Sequence, residues 1–341
     1  MTALSLVLLV KDEADTIGGF LRQVWEQDLF TRPDVTAEVL VVANGCTDDT
    51  VAVARDTLAD LPQIPALRGS VHDLVEGGKS RSWNIAVHQL VDPESDYVLF
   101  LDCDVDLVGP TAFSTMLDQL EAAPDALACS GFPLKAAARA EKPSLVQRFS
   151  LRASAATRYA DAICGQCYLV RRSALRDLWL PLRTPGEDGF VNAMLHTAGF
   201  SRPSRPGTVI ETTVPTHYME DIDPAGFLRH ETRLLVGTMV NIWLFEHFMA
   251  LKPAAPLGPE ISLWNEEDPG WAERIVAARA RAAGWVIPRS LLLRRLKAPG
   301  EVGWLRALLG FPVYAAATVL TLPPAWRANR ALKRRGATAI W

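Results

Sequence analysis

Tyr97–Asp106 reads YVLFLDCDVD. A short apolar run with aliphatic and aromatic side chains ends in aspartates at alternate positions, Asp102, Asp104 and Asp106. A run of this length and composition fits a buried strand of a parallel sheet. Carboxylates just past the carboxyl end of such a strand stand where open α/β sheets bind ligands. Hard oxygen ligands in a cluster suit Mg²⁺ or Mn²⁺, and a divalent ion there can bridge a diphosphate. Aspartates are also common turn residues, so the stretch takes its meaning from its surroundings.

Upstream, Leu4–Val10 reads as a first buried strand. Polar Lys11–Thr16 follows, then a helix to about Gln27 with Asp15 or Thr16 as N-cap. Val39–Val42 reads as a second short strand, closed by ANGCTDDT at 43–50. Asn44-Gly45 supplies its tight turn, and Thr47 or Asp48 can cap a helix over Thr50–Leu58. Strand, turn and helix twice over predict an α/β fold with a mostly parallel sheet flanked by helices. Gly77-Gly78-Lys79-Ser80-Arg81 is a glycine-rich turn with two cations, opening a helix over Ser82–Leu90. Such a turn suits an anion, although its spacing is not that of a P-loop. After the aspartates come a helix over Thr111–Ala122 and a strand over Ala126–Phe132. Lys135–Ala160 reads as a helix or a mobile segment near a cleft. Then follow a strand over Ile163–Val170, a loop Arg183–Gly189 opening a helix to about Ala198, a strand over Gly207–Pro215 and a long helix over Phe227–Phe248.

The 341 residues are 49% hydrophobic and 22% charged, which excludes a disordered chain. A net charge of −4 gives no electrostatic reason to expect nucleic acid. Five scattered cysteines, Cys46, Cys103, Cys129, Cys164 and Cys167, do not form a disulfide framework. Cys164 and Cys167 have no second pair that would complete a zinc site. Leu4–Val10 is too short for a signal peptide and runs into Lys11-Asp12-Glu13, so the N-terminal domain is expected in the cytoplasm.

From Lys252 the composition shifts toward Pro, Gly and Trp. The expected division is a domain over 1–250 and a helical, Trp- and Arg-rich extension over 251–341. Ala307–Trp326 is twenty residues without a charge. Arg289, Arg294, Arg295, Lys297 and Arg306 flank it on one side, and Arg327, Arg330, Lys333, Arg334 and Arg335 on the other. The length suffices to span a membrane. Pro312 inside it, Pro323-Pro324 near its end and two basic flanks argue for an interfacial segment on an anionic membrane instead, with Trp304 and Trp326 as anchors. A spanning helix and a buried helix are the alternatives.

Several motifs stand in a telling order. They are VVANGCTDDT, GGKSRSWN, the D-x-D of LDCDVD, GQCYLVRR, GEDGF and HETRL. Together they resemble the inverting family 2 glycosyltransferases, whose nucleotide-sugar domain has the Rossmann-like GT-A fold. The resemblance covers about Leu4–Leu235. It implies that Asp102 contacts the nucleotide ribose or the metal, and that Asp104 binds Mn²⁺ or Mg²⁺. It implies that Glu13 and Asn44 line the nucleotide pocket, with Lys79 near the donor. Asp188 would be the general base, with Glu187 beside it, and Arg233 would approach the leaving diphosphate or the acceptor. His217 is a further candidate metal ligand, as in some other GT-A enzymes.

The chain also departs from the family pattern. Ala43-Asn44 replaces the usual acidic pair, Asp12 stands at a position that is often Asn, and Asp106 is additional. His230 and Leu234 replace the Gln and Trp of Q-x-x-R-W, and the missing Trp favours single transfer over processive synthesis.

The chemistry demands residues of these kinds. Expelling a nucleoside diphosphate requires neutralised charge on the leaving group, which a metal and a cation supply. Inversion requires one base to take the proton of an attacking hydroxyl. The expected activity is transfer of a sugar from a nucleoside diphosphate sugar to a carbohydrate or lipid-linked acceptor, on the cytoplasmic face of a membrane. A sugar nucleotidylyltransferase is the enzymatic rival, disfavoured by Lys11-Asp12-Glu13-Ala14 where that class needs a glycine-rich basic loop. A catalytically inactive membrane-bound partner protein is the non-enzymatic rival.

Overall fold

The computed structural model describes residues 1–139, 151, 161–219, 224–296 and 303–336. Most of the 135–160 stretch therefore lies outside the described residues, apart from Lys135 at the end of a strand, a short turn over Ala136–Arg139 and Leu151.

A seven-stranded sheet forms the centre. Its first half runs β1 (Thr2–Val10), α1 (Ile17–Trp25), β2 (Val35–Asn44), α2 (Thr50–Asp60), β3 (Leu67–Leu74), α3 (Lys79–Ile85) and β4 (Tyr97–Leu101). β5 (Val105–Leu107), α4 (Ala112–Glu121), β6 (Ala128–Ser130) and β7 (Pro133–Lys135) follow, then β8 (Cys167–Arg171) and α5 (Glu187–His196). The strand order is β3-β2-β1-β4-β8-β6-β9, with β9 over Val209–Glu211. β1 pairs in parallel with both β2 and β4, while β8 runs antiparallel to β4 and β6. A small second sheet joins β5, β10 (His217–Met219) and β7.

The central strands are apolar on both sides because both sides are covered. Val7, Leu40, Val42, Val98 and Phe100 belong to one buried cluster. Leu6, Leu8, Val39, Val41, Leu99 and Leu101 belong to the other, with α1 and α4. Alternation along each strand assigns its residues to the two cores.

β1 lies between β2 and β4, so the chain leaves it to one side and returns on the other. That reversal opens a crevice at the carboxyl ends of the strands, where ligands of open α/β sheets sit. The ends facing it carry Lys11–Glu13 after β1, Asn44 closing β2 and Asp102–Asp106 after β4.

The C-terminal third is helical. α6 (Pro224–Leu251), α7 (Gly258–Glu267) and α8 (Trp271–Ala282) precede α9 (Trp304–Leu320) and α10 (Leu322–Arg335). Ile261, Trp271, Val276, Ala325, Ala328 and Leu332 share a buried cluster with Phe190 of α5 and Phe248 of α6. The extension therefore completes the core on one face of the sheet.

The expected twenty-residue apolar segment is not one helix. α9 ends at Leu320, Thr321 turns the chain, and α10 begins with Pro323 and Pro324 in its first turn. Among the described residues, Gly226–Leu251 is the helix long and apolar enough to cross a membrane, and half of its most apolar window is buried. The N-terminal basic flank is also partly committed. Buried Glu231 accepts Arg294 at 2.9 Å and Arg295 at 2.7 Å. Two of the cations assigned to a membrane flank are thus engaged inside the protein.

Candidate active site

The site begins where β2 ends. Gly45 has φ +62°, and a side chain there would meet the Gly77 backbone nitrogen at 2.9 Å. This close approach brings the Gly77-Gly78 turn against Asn44. Buried Asn44 accepts hydrogen bonds from the Gly78 N–H at 2.6 Å and the Ser82 hydroxyl at 2.9 Å. Its side chain therefore fixes the turn that launches Lys79.

Lys79 then reaches two carboxylates from distant parts of the chain. Its Nζ donates to Asp102 Oδ1 at 3.1 Å and lies 2.7 Å from Glu187 Oε1. Burial works against the ammonium charge, but Asp102 and Glu187 hold its pKa well above the ordinary lysine value. Beneath it, Trp83, Phe100 and Tyr168 stack, with centroids 5.5 and 4.7 Å apart, and the Trp83 indole N–H donates to the Tyr168 hydroxyl at 3.2 Å. These rings line the cleft that also holds Lys79, Asp102, Gly165 and Glu187.

Glu187 and Asp188 open α5 after Gly186, which has φ +83°. Burial pushes Glu187 up, but Lys79 and the more distant Arg233 outweigh it and hold the carboxyl below its usual range. Asp188 is pushed the other way, to about 6, by burial and then by the Glu187 charge. Its Oδ1 accepts the Gly189 N–H at 2.7 Å. A side chain at Gly165 would come within 2.7 Å of Oδ2. Gly165 belongs to the turn before β8 and leaves room for the carboxylate; in the sequence it stands out only as the first residue of GQCYLVRR.

The three aspartates after β4 separate. Asp102 is pushed up by burial, against the pull of Lys79. Asp104 is exposed, and among the described residues it has no hydrogen-bond or ion-pair partner. Asp106 lies within β5, where Gln23 donates to one oxygen at 3.0 Å and Arg139 to the other at 2.7 Å. It ties α1 and the Ala136–Arg139 turn to the second sheet.

Glu13 faces the same crevice. Burial pushes its carboxyl up, the Thr16 hydroxyl donates to it at 2.6 Å, and Asp104 and Asp102 add to the rise. Thr16, one of the two expected N-caps, stands at the N-cap of α1, but its hydroxyl serves Glu13 rather than a backbone amide of the helix. The N-cap of α2 is Asp49 rather than the expected Thr47 or Asp48, and the Asp48 carboxylate just before it accepts the Thr50 N–H at 3.0 Å.

His217 is placed differently from the expectation of a metal ligand. It is fully buried in β10, with Nδ1 at 2.9 Å from the Thr216 hydroxyl and Nε2 at 3.8 Å from Cys164 Sγ. Burial pushes it down to about 4. Among the described residues, the group whose ligand atoms lie within 4.8 Å of one another is Asp12, Cys46 and Asp48. Asp12 already serves Lys11 and the Thr47 N–H, Asp48 the Thr50 hydroxyl, and the Cys46 sulfur the Asp12 N–H and the Val10 carbonyl.

The donor set of Asp102 and Asp104 is hard oxygen and suits Mg²⁺ or Mn²⁺. Asp104 has free coordinating capacity, and Asp102 shares one oxygen with Lys79. The residues therefore fit a divalent ion. Lys79, Asp102, Gly165 and Glu187 line one cleft, Asp104 lines a second cleft with Asp106, and the raised Asp188 carboxyl lies against Gly165.

Comparisons with known proteins agree with this architecture. The profile of glycosyl transferase family 2 matches residues 5–179. No curated protein sequence matches the chain. The mannosyltransferase PcManGT from Pyrobaculum calidifontis, solved in complex with GDP-Man and Mn²⁺, is similar with a TM-score of 0.54 at 19% identity, over 97% of this chain and 86% of its own. S. aureus TarS 1-349 is similar with a TM-score of 0.46 at 15% identity, over 98% and 92%. A glucosyl-3-phosphoglycerate synthase from Mycobacterium tuberculosis, in complex with Mg²⁺ and uridine-diphosphate, gives 0.42 at 17% identity, over 69% and 78%. At 19% identity the likeness to the mannosyltransferase is one of fold.

Proposed function

This chain belongs to glycosyl transferase family 2, and from that premise we propose an inverting, metal-dependent transfer of a sugar from a nucleoside diphosphate donor to an acceptor hydroxyl. The observation that carries the reading is the Lys79 bridge. It ties the carboxylate after β4 to the start of α5, where Asp188 waits with a raised pKa.

In this reading Asp188 is the general base. A carboxyl with pKa about 6 is ionised at neutral pH yet more basic than an ordinary aspartate. It takes the proton of the acceptor hydroxyl while that oxygen bonds to the anomeric carbon of the sugar. The bond from that carbon to the nucleoside diphosphate breaks, and the leaving diphosphate keeps the electron pair. Attack from the face opposite the leaving group inverts the centre. Glu187 stays ionised beside Lys79 and raises the basicity of Asp188.

Asp104 and Asp102 would hold Mn²⁺ or Mg²⁺, which supplies positive charge to the diphosphate. Lys79 and Arg233 add fixed charge on the same side of the reaction. Glu13 and Asn44 line the nucleotide end. His217 is left out of the ligand set because both ring nitrogens have protein partners. The acceptor is a carbohydrate or lipid-linked hydroxyl, and the enzyme works at the cytoplasmic face of a membrane. Residues 1–250 carry the transfer chemistry, and 251–341 complete the core and provide the membrane contact.

A thermal-shift panel of nucleoside diphosphates and nucleotide sugars with Mn²⁺ and Mg²⁺ tests the donor site, because a ligand of the native state raises Tm. A metal-dependent rise with at least one donor is expected, and Asp104→Ala abolishes it. A rise that survives Asp104→Ala unchanged removes Asp104 from the site. No rise with any member of the panel removes the donor reading.

A further inference from the structure

Residues 302–341 contain six Lys and Arg and no Asp or Glu, in a chain whose net charge is −4. Within them α9 shows Trp304, Leu308, Phe311 and Val319 to solvent, at 71%, 64%, 59% and 61% exposure. At 100° per residue these four fall within an arc of about 80°. They form one exposed apolar stripe along α9.

α10 is amphipathic in a different way. Ala325, Ala328 and Leu332 are buried in the core that α6 shares. Its outer side presents Leu322 and Trp326 together with Arg327, Arg330 and Arg334. Among the described residues these three arginines are in no ion pair. The Arg330 guanidinium lies 5.3 Å from the centre of the Trp326 ring. α10 therefore anchors the helix pair to the folded core, and the Trp304–Val319 stripe of α9 and the outer face of α10 are left to water.

We propose that this face is the docking surface for an anionic lipid bilayer. The α9 stripe enters the boundary between headgroups and acyl chains, and the α10 arginines meet anionic headgroups. Charge complementarity selects this occupant, since the segment is purely basic while the chain as a whole is acidic. Geometry selects its orientation. α9 has 17 residues with Pro312 inside, short of the roughly 20 needed to span, so it lies in the interface. The surface supplies the membrane contact named in the proposed function but does not depend on the transfer chemistry.

Flotation of the full chain with vesicles tests this. Vesicles of phosphatidylcholine mixed with phosphatidylglycerol are expected to bind it, and phosphatidylcholine alone much less. Leu308→Glu combined with Phe311→Glu should weaken binding at least about tenfold. Arg327→Gln and Arg330→Gln should each weaken it about fivefold and flatten its salt dependence. The nucleotide thermal shift of these variants, measured alongside, should match the wild type and shows that they are folded. Absence of wild-type binding to either vesicle overturns the proposal, as does full binding by the double glutamate variant. A wild-type dimer in light scattering that this variant converts to monomer also overturns it, because a second copy would then cover the stripe. Vesicle binding without any nucleotide shift would sink the donor reading and leave the surface standing; the reverse result would sink the surface alone.

Discussion

Asp188 and Glu187 are neighbours in sequence whose carboxyls shift in opposite directions. The cause is Lys79, which touches Glu187 and leaves Asp188 to bear the cost of burial and of a nearby negative charge. A carboxyl raised in the folded state contributes stability only when protonated, so that contribution is lost as pH rises through about 6. Asp188→Asn is therefore expected to raise stability at neutral pH by on the order of 1–2 kcal/mol. The gain should vanish near the ordinary carboxylate range, as a thermal melt across pH will show. The same variant should lose transfer by about 10²–10⁴-fold. In the wild type, kcat/KM should fall on the acid side with an apparent pKa near 6 that belongs to the carboxylate pair.

Lys79→Met tests the bridge at the same scale. It leaves Asp102 and Glu187 without their shared cation, at a cost of about 3 kcal/mol. Both carboxyls then rise in the folded state, so the deficit in denaturant stability should shrink as pH falls toward 4. An equal deficit at all pH values would mean that packing, not charge, is what Lys79 provides. Much of this was legible in sequence at the level of residue type: the aspartates, the lysine and the Glu187-Asp188 pair all stood out. The resemblance also separates Asp102, toward the ribose or the metal, from Asp104, on the metal, and sets Asp106 apart as additional. What it does not show is that Gln23 and Arg139 hold Asp106 within β5 as a structural tie.

At the scale of elements, the strands of the central sheet could be read, down to the three-residue β6 and β9, but its exposed edge strand β3 and the strands of the second sheet could not. β1 and β4 are apolar runs, so their strands were plain. β3 is an edge strand with mostly polar and half-exposed residues, which gives no apolar period to detect. β5, β7 and β10 have three residues each, too few for any period. The turn holding Gly165 was likewise readable only as a glycine in a motif. Its function comes from α5, which brings Asp188 against it. Gly165→Ala should displace the Asp188 carboxylate, reducing kcat by at least about tenfold while the donor thermal shift persists. Loss of the donor shift as well would show that the turn serves the donor rather than the base.

At the scale of the molecule, the C-terminal helices are part of the catalytic domain's core. Twenty uncharged residues in sequence do not reveal the turn at Thr321 or the seating of α10 against α6. Nor can sequence show that Glu231 clamps Arg294 and Arg295. Deleting residues 303–341 should uncover the face of α6 that Ala325, Ala328 and Leu332 help to cover. A loss of about 3 kcal/mol or more is expected, read as a lower Tm and more aggregation. An unchanged Tm would mean that α10 adds nothing to the core.

The proposed transfer depends on a single base acting on a donor held by a metal. The most direct measurement is release of nucleoside diphosphate from the donor that gives the largest thermal shift, with Mn²⁺ and acceptor present, in wild type and Asp188→Asn. Equal donor binding in the two proteins and release only in the wild type are expected. Release by Asp188→Asn at the wild-type rate would remove Asp188 as the base.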